Sequence, residues 1–247
     1  MNKALVAVFL VFVVVPLALA IASWAENINR TESAREPYKT NETAGRTPGD
    51  VVLIKINGSI NPATLDYIRV GLEEAQASGA NALVIEMDTP GGLLTSTKEI
   101  VKLLLNSNVP VVVYVSPSGA SATSAGVFIT LSANIAAMAP GTSIGAAHPV
   151  SIGKNGQQPG KKEEKEDEKG DKSEDKKERS QEEIMGEKIV NYASSFIQSI
   201  AEQRGRNVEW AVDAVRNSSS ITANEALEKN VIDIISTSLK EILKSID

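Results

Sequence analysis

The chain has no cysteine and only one histidine, His148, among its 247 residues. The first absence excludes disulfides and thiolate metal sites, and a single histidine is too few to build a histidine metal centre. Any catalysis must work without cysteine, and no metal or cofactor is expected. Aromatic residues make up only 4% of the chain. Basic excess is also missing: with a net charge of -6 and a pI near 5.1, the chain lacks the positive face that a general nucleic-acid binder needs to gather phosphates.

What is present suits a globular domain, since 42% of the residues are hydrophobic. The first apolar run has another purpose. After Lys3 comes "ALVAVFLVFVVVPLALAIASWA", an uncharged stretch that, at about 1.5 Å per residue, is long enough to cross a hydrocarbon core about 30 Å thick. Residues 1–25 therefore read as a transmembrane anchor or a cleavable secretory signal, the small-residue patterns "ALA" and "SWA" fitting the second. In either case the rest of the chain is expected outside the cytoplasm, because the flanking positive charge is on the short N-terminal side. The sequons at Asn29, Asn41, Asn57 and Asn217 are compatible with export, although such tripeptides also arise by chance.

Residues 26–50 are polar and aperiodic and read as a linker. Folding is expected to begin at "VVLIKI", residues 51–56, as a strand buried on both faces. A helix follows over 61–79, with Asn61 as N-cap and Gly79 near its stop. Strand 82–87, turn 88–92, helix 93–107, strand 110–115, a small-residue turn, a buried helix over 124–133 and a strand near 135–140 continue the alternation. This order predicts an α/β domain with a largely parallel sheet, spanning 51–247. Within it, 154–183 is a mixed-charge run with almost no apolar residues, expected to be disordered or a mobile helix and read as a solvated insertion or, alternatively, a charged flap or docking segment. The next helix carries a stripe of Ile189, Tyr192, Ala193, Phe196, Ile197 and Ile200, and Lys188 is expected on or at the edge of that buried face. Helices near 207–215 and 222–229, a strand at "VIDIIS" and a last helix at "SLKEILKSI" complete the pattern.

Two turns invite chemistry. "DTPGG" and "SPSGASATSAG" each join a buried strand to a helix start, where ligands of open α/β sheets gather. In the first, Gly91 and Gly92 let the backbone turn sharply and leave amides uncovered by side chains. In the second, Ser124 stands at a helix start with the Ala125 amide beside it. The second stretch reads equally as close backbone packing, with Ser118, Ser121 and Thr123 as N-cap candidates. A serine nucleophile needs a base, and Lys188 is the best candidate, since desolvation makes a lysine basic near neutral pH. The alternative is a lysine whose stem packs while its ammonium reaches water.

Taken in order, "DTPGG", "SPSGASATSAG", "MAPGTSIGAAHP", "EKIVNYASSFIQSIAEQRGRN" and "ITANEALEKNVID" resemble the ClpP-class membrane serine proteases, specifically the protease domain at the N-terminus of long NfeD proteins. The resemblance runs from about residue 51 to the end. It implies a ClpP/crotonase-like fold and a Ser-Lys dyad of Ser124 and Lys188. Backbone amides of Gly92 and Ala125 would form the oxyanion hole, with Gly91 shaping the turn. It also implies endopeptidase action on hydrophobic segments of membrane proteins, stomatin-like proteins being the partner class, and a homodimer or higher homo-oligomer. The family pattern assigns His148 no role, and it is read as structural. A signal-peptide peptidase of related fold and a catalytically silent scaffold for stomatin-like proteins are the alternatives.

Overall fold

The computed structural model describes residues 50–149 and 181–246, all within one compact unit. The expected anchor at 1–25, nearly all of the linker at 26–50 and most of the insertion at 154–183 lie outside the described residues. Among the described residues no helix is long and apolar enough to cross a membrane.

The main sheet has five strands: β1 (Val51–Asn57), β2 (Ala82–Asp88), β3 (Val111–Val115), β5 (Ile135–Met138) and β8 (Ile234–Ile235). All its pairings are parallel and the strands lie in that order. A smaller sheet joins β4 (Ser121–Thr123), β6 (Ser143–Gly145) and β7 (Ser220–Thr222), with β6 central. The sequence reading missed this second sheet. It took residues 116–123 as turn, whereas three of them form β4, paired in parallel with β6. Strands of three residues with at most one large apolar side chain each, Ile144 in β6 and Ile221 in β7, carry no readable period.

Seven helices are described: α1 (Pro62–Ala77), α2 (Leu94–Leu105), α3 (Ala125–Ser132), α4 (Gln181–Arg204), α5 (Val208–Arg216), α6 (Ala223–Glu228) and α7 (Leu239–Ile246). Helix α1 starts as its sequence predicts: the Asn61 side chain accepts from the Thr64 N–H at 3.1 Å and Pro62 takes the first helical position. Gly205 ends α4 at φ +66, a conformation that favours glycine. The last residues of the charged insertion, 181–183, are helical and belong to α4, which begins at Gln181.

Strand pleating separates two cores. Leu83, Ile85 and Met87 of β2 and Val111, Val113 and Val115 of β3 face the main core, which also holds α3 and the buried residues of α4 and α5. Their alternates Ala82, Val84, Val112 and Tyr114 form a second cluster with Ile242 of α7. The Tyr114 hydroxyl donates to the Ser236 carbonyl at 2.9 Å. Strand β1 departs from the expectation of burial on both faces. It is the edge strand, Leu53 is 43% exposed, and its outer face carries Lys55, paired with Glu86 at 2.7 Å.

Helix α3 occupies the centre, with all eight of its residues buried. Two arginines satisfy carbonyls that a helix end leaves without partners. Arg204 Nε donates to the Ser132 carbonyl at 2.9 Å, and Arg206 reaches the carbonyls of Leu131 and Ala133, both at 3.3 Å. Arg206 is itself buried and clamps both carboxylate oxygens of Asp233, at 3.0 and 2.8 Å. Asp233 in turn accepts the Ala136 N–H at 2.7 Å. The C-terminal end of α3 is thus tied to β5 and to the segment leading into β8, so the position of its N-terminus is set from below.

Candidate active site

Strands β2 and β3 end side by side, and the two chemistry-bearing turns start from those ends. They are joined by a parallel bridge between Thr89 and Ala122. The Asp88 carboxylate secures the same junction by accepting the Ser121 N–H at 2.9 Å. The first turn is also bound to the segment after β1. The Ile60 N–H donates to the Gly91 carbonyl at 2.8 Å, and the Leu93 N–H to the Ile60 carbonyl at 2.9 Å.

Ser124 lies at the junction of β4 and α3 with φ 52 and ψ -108. A side-chain-bearing residue rarely adopts positive φ, and such a conformation costs about 1–3 kcal/mol unless its surroundings hold it. Here the Ser124 N–H donates to the Gly145 carbonyl and its own carbonyl accepts the Val127 N–H, both at 3.0 Å. The serine occupies the N-cap position of α3 without using its hydroxyl as a cap. Among the described residues, Ser124 Oγ has no hydrogen-bond partner. The half-buried hydroxyl is therefore presented at a sharp strand-to-helix turn, the arrangement that exposes a nucleophile above a sheet.

The glycines are sterically required. Gly91 has φ +114, and a Cβ there would come within 2.7 Å of Ser124 Cβ and 3.2 Å of its Oγ. The glycine turn and the serine are thus in direct contact. A Cβ on Gly92 would lie 2.0 Å from the Ile60 carbonyl oxygen, an impossible approach. Neither the Gly92 N–H nor the Ala125 N–H has an acceptor among the described residues, and Gly92 is exposed. Two unpaired amides next to a free serine hydroxyl can hold an oxyanion in addition to the partial positive charge at the start of α3.

Lys188 is not brought into the buried face. It is exposed on the second turn of α4, where the sequence reading expected it on or at the edge of a buried stripe. The buried positions of α4 are Ala193, Ser194, Ile197, Ile200 and Ala201; Ile189 is half-buried and Tyr192 is 43% exposed. The stripe therefore acquires a cover only from Ala193 onward, and the first turns of α4 carry Ile184 and Met185 uncovered as well. Tyr192 stacks on Phe196 with ring centres 6.0 Å apart, and Lys98 of α2 places its Nζ 5.5 Å from the Tyr192 ring centre. His148 is half-buried with Nδ1 2.9 Å from the Val215 carbonyl, so Nδ1 carries the proton and fastens the chain after β6 to α5.

Sequence reasoning overlooked Gly145, whose carbonyl holds Ser124, and whose φ of +149 accompanies a close approach to Ser219 and Ser220. The signal available was its glycine in "GTSIG", but nothing local points to Ser124 as its partner.

A family model for the NfeD1b N-terminal domain matches residues 50–175. The chain belongs to this family. The NfeD1b-type chain is 36% identical over 194 residues to the membrane-bound protease PH1510 of Pyrococcus horikoshii, covering 78% of this chain and 39% of that protein. It is 32% identical over 97 residues to the membrane protein NfeD1b of Bacillus subtilis, covering 39% of this chain and 22% of that one. The chain thus spans well under half the length of these two relatives.

Among solved structures, a serine-to-alanine variant of the 1510-N membrane-bound stomatin-specific protease superposes with a TM-score of 0.66 at 34% identity, covering 81% of this chain and 85% of that one. A lysine-to-alanine variant of the same protease, in complex with a substrate peptide, gives 0.66 at 33% identity, covering 81% and 80%. An asparagine-to-aspartate variant of ClpP1 from Listeria monocytogenes matches at 0.54 with 18% identity over 76% of this chain and 93% of that one, which extends the likeness to the fold alone. The α/β fold with a parallel sheet is ClpP-like.

Proposed function

We propose that this NfeD-type domain is a membrane-associated serine endopeptidase in which Ser124 is the nucleophile and Lys188 the general base. The observation that carries the proposal is a Ser124 hydroxyl, on backbone held at φ 52, beside the amides of Gly92 and Ala125, all three without a hydrogen-bond partner among the described residues. The relatives named as proteases, and the Ser-to-Ala and Lys-to-Ala variants among their structures, support the assignment of residue types.

In this mechanism Lys188 Nζ takes the Ser124 proton as Oγ attacks the scissile carbonyl carbon. The amides of Gly92 and Ala125 hold the resulting oxyanion. Lys188 returns the proton to the leaving amine, then deprotonates the water that releases the acyl group from Ser124. A lysine acts as a base once desolvation disfavours its charged form, so in this reading an apolar substrate segment covers the exposed Lys188. Leu93, 44% exposed directly after Gly92, and Tyr192, beside α2, are uncovered apolar surfaces suited to such a segment. Hydrophobic stretches of stomatin-like membrane proteins are the proposed substrate class, cut by a domain held outside the cytoplasm and acting as a homo-oligomer. A signal-peptide peptidase differs from this only in substrate.

One observation favours a second reading. The exposure of Lys188 fits a catalytically silent scaffold for stomatin-like proteins. The test is cleavage of an apolar, stomatin-tail-like peptide by the full chain in detergent, with Ser124→Ala, Lys188→Ala and Ser121→Ala as comparisons and circular dichroism as the folding check. Loss of cleavage in the first two but not the third supports the dyad. Full activity of Ser124→Ala refutes it, and absence of cleavage by every form favours the scaffold.

A further inference from the structure

Thr89 is fully buried, yet the reaction proposed above makes no use of it. Its N–H donates to the Ser121 carbonyl at 2.8 Å and its carbonyl accepts the Thr123 N–H at 3.0 Å. Its hydroxyl oxygen accepts the Gly91 N–H at 3.1 Å. Its methyl lies against the first turn of α3, where a Cβ on Gly126 would meet it at 2.8 Å. A single residue therefore touches the oxyanion turn, the strand leading to Ser124, and the helix that follows it.

The orientation of the Gly92 amide depends on this contact. Pro90 has no N–H, so the Gly91 N–H is the first backbone donor after Thr89, and at a buried residue it needs an acceptor. Gly91, at φ +114, has no side chain to restrain it and is held by hydrogen bonds on both sides. Thr89 Oγ1 takes its N–H and donates to its carbonyl at 3.4 Å, and the Ile60 N–H donates to the same carbonyl at 2.8 Å. Across a trans peptide the N–H and C=O point in opposite directions. With the Gly91 carbonyl directed at Ile60, the Gly92 N–H is turned to the other side, where it has no acceptor among the described residues.

We propose that Thr89 is a positioning residue for the oxyanion hole: its hydroxyl fixes Gly91 so that the Gly92 N–H faces the carbonyl attacked by Ser124. The inference rests on the reading of Gly92 as an oxyanion donor. Losing an entire oxyanion donor lowers kcat by about 100- to 1,000-fold, and loosening one costs less. Thr89→Val, which keeps the shape and removes the hydroxyl, should lower kcat for the apolar peptide roughly 10- to 100-fold with KM within about 2-fold. Thr89→Ser, which keeps the hydroxyl and removes the methyl, should stay within about 3-fold of the unmodified chain.

Hydrogen exchange measured by mass spectrometry on peptides spanning residues 88–93 of the full chain gives a readout independent of activity. Thr89→Val should accelerate exchange of the Gly91 amide about 10-fold or more, and Thr89→Ser should leave it protected. If Thr89→Val does not fold, Thr89→Ala compared with Thr89→Ser poses the same question. Unchanged kcat in Thr89→Val, where Ser124→Ala is inactive, overturns the positioning role and leaves the peptidase reading standing. Equal losses in the Val and Ser variants also overturn it, because the methyl contact would then be what matters. If the unmodified chain cleaves nothing, the peptidase reading fails and exchange decides: unaltered protection at Gly91 in Thr89→Val overturns the contact, and faster exchange confined to that variant supports it.

Discussion

The strand-end cradle and the first turns of α4 are two halves of one proposed site, and they are held very differently. The cradle is fastened from every side. Ile60 grips the glycine turn, Thr89 and Asp88 join it to β4, and Gly145 holds the Ser124 amide. Lys188 stands in the open on a helix whose buried stripe begins only at Ala193. A backbone oxyanion hole and a strained serine require fixed geometry before substrate arrives, since their value lies in not having to reorganise. A lysine base requires only that water be removed when it acts. On the proposed reading, preorganisation would belong to the cradle and closure to the lysine half.

The comparison makes its largest prediction at the serine. Ser124→Ala should abolish peptide cleavage, with a loss of at least about 1,000-fold in kcat/KM, while stability to denaturant changes by less than about 0.5 kcal/mol. A variant that unfolds would show the hydroxyl to be structural. Lys188→Ala should reduce kcat by about 100-fold or more, the scale of general-base catalysis. Its stability should match the unmodified chain within about 0.5 kcal/mol, because an exposed side chain is removed. A large drop in melting temperature would show that Lys188 is packed after all, and the two halves would no longer differ.

Gly92→Ala probes the rigid half directly. The added Cβ meets the Ile60 carbonyl oxygen at 2.0 Å, backbone against backbone, so denaturant unfolding should report a loss of about 3 kcal/mol or more. The smallest effect lies away from the site, on the open face of β1 and β2. There the hydrogen bond from Lys55, helped by that from Ser116 and opposed by burial, holds the Glu86 carboxyl below the usual carboxylate range. A depressed carboxylate stabilises the fold above the ordinary carboxylate range and loses that contribution as pH falls through its folded value. Lys55→Ala should therefore cost less than about 1 kcal/mol near neutrality, and the difference should vanish in acid; equal stability at all pH values would show the pair to be inert.

Much of the fold was legible because apolar spacing survives in a single sequence. The run "ALVIEM" and its neighbours marked the parallel strands, and Asn61-Pro62 marked the start of α1 through a cap that forms as the residues dictate. The second sheet was not legible, since β4, β6 and β7 pair residues such as Ser121 with Ser143 and Ser143 with Thr222, far apart in the chain and free of apolar pattern. At the site, Gly91, Gly92, Ser124 and Ala125 could be singled out as glycine-bearing turns at strand ends. The exposure of Lys188 could not, because a helical stripe specifies a face but not how far along its length something covers it.

By itself the sequence determined the order of the helices and of the main-sheet strands, the lack of thiol chemistry, and which small residues stand where parallel strands end, because periodicity and side-chain size are local properties. Tertiary structure alone decided that Ser124 sits at positive φ against Gly91, that Thr89 and Gly145 hold the two turns in place, and that Lys188 remains outside. Each of these depends on contacts between segments distant in sequence, and only the two sheets packed around the buried α3 bring those segments together.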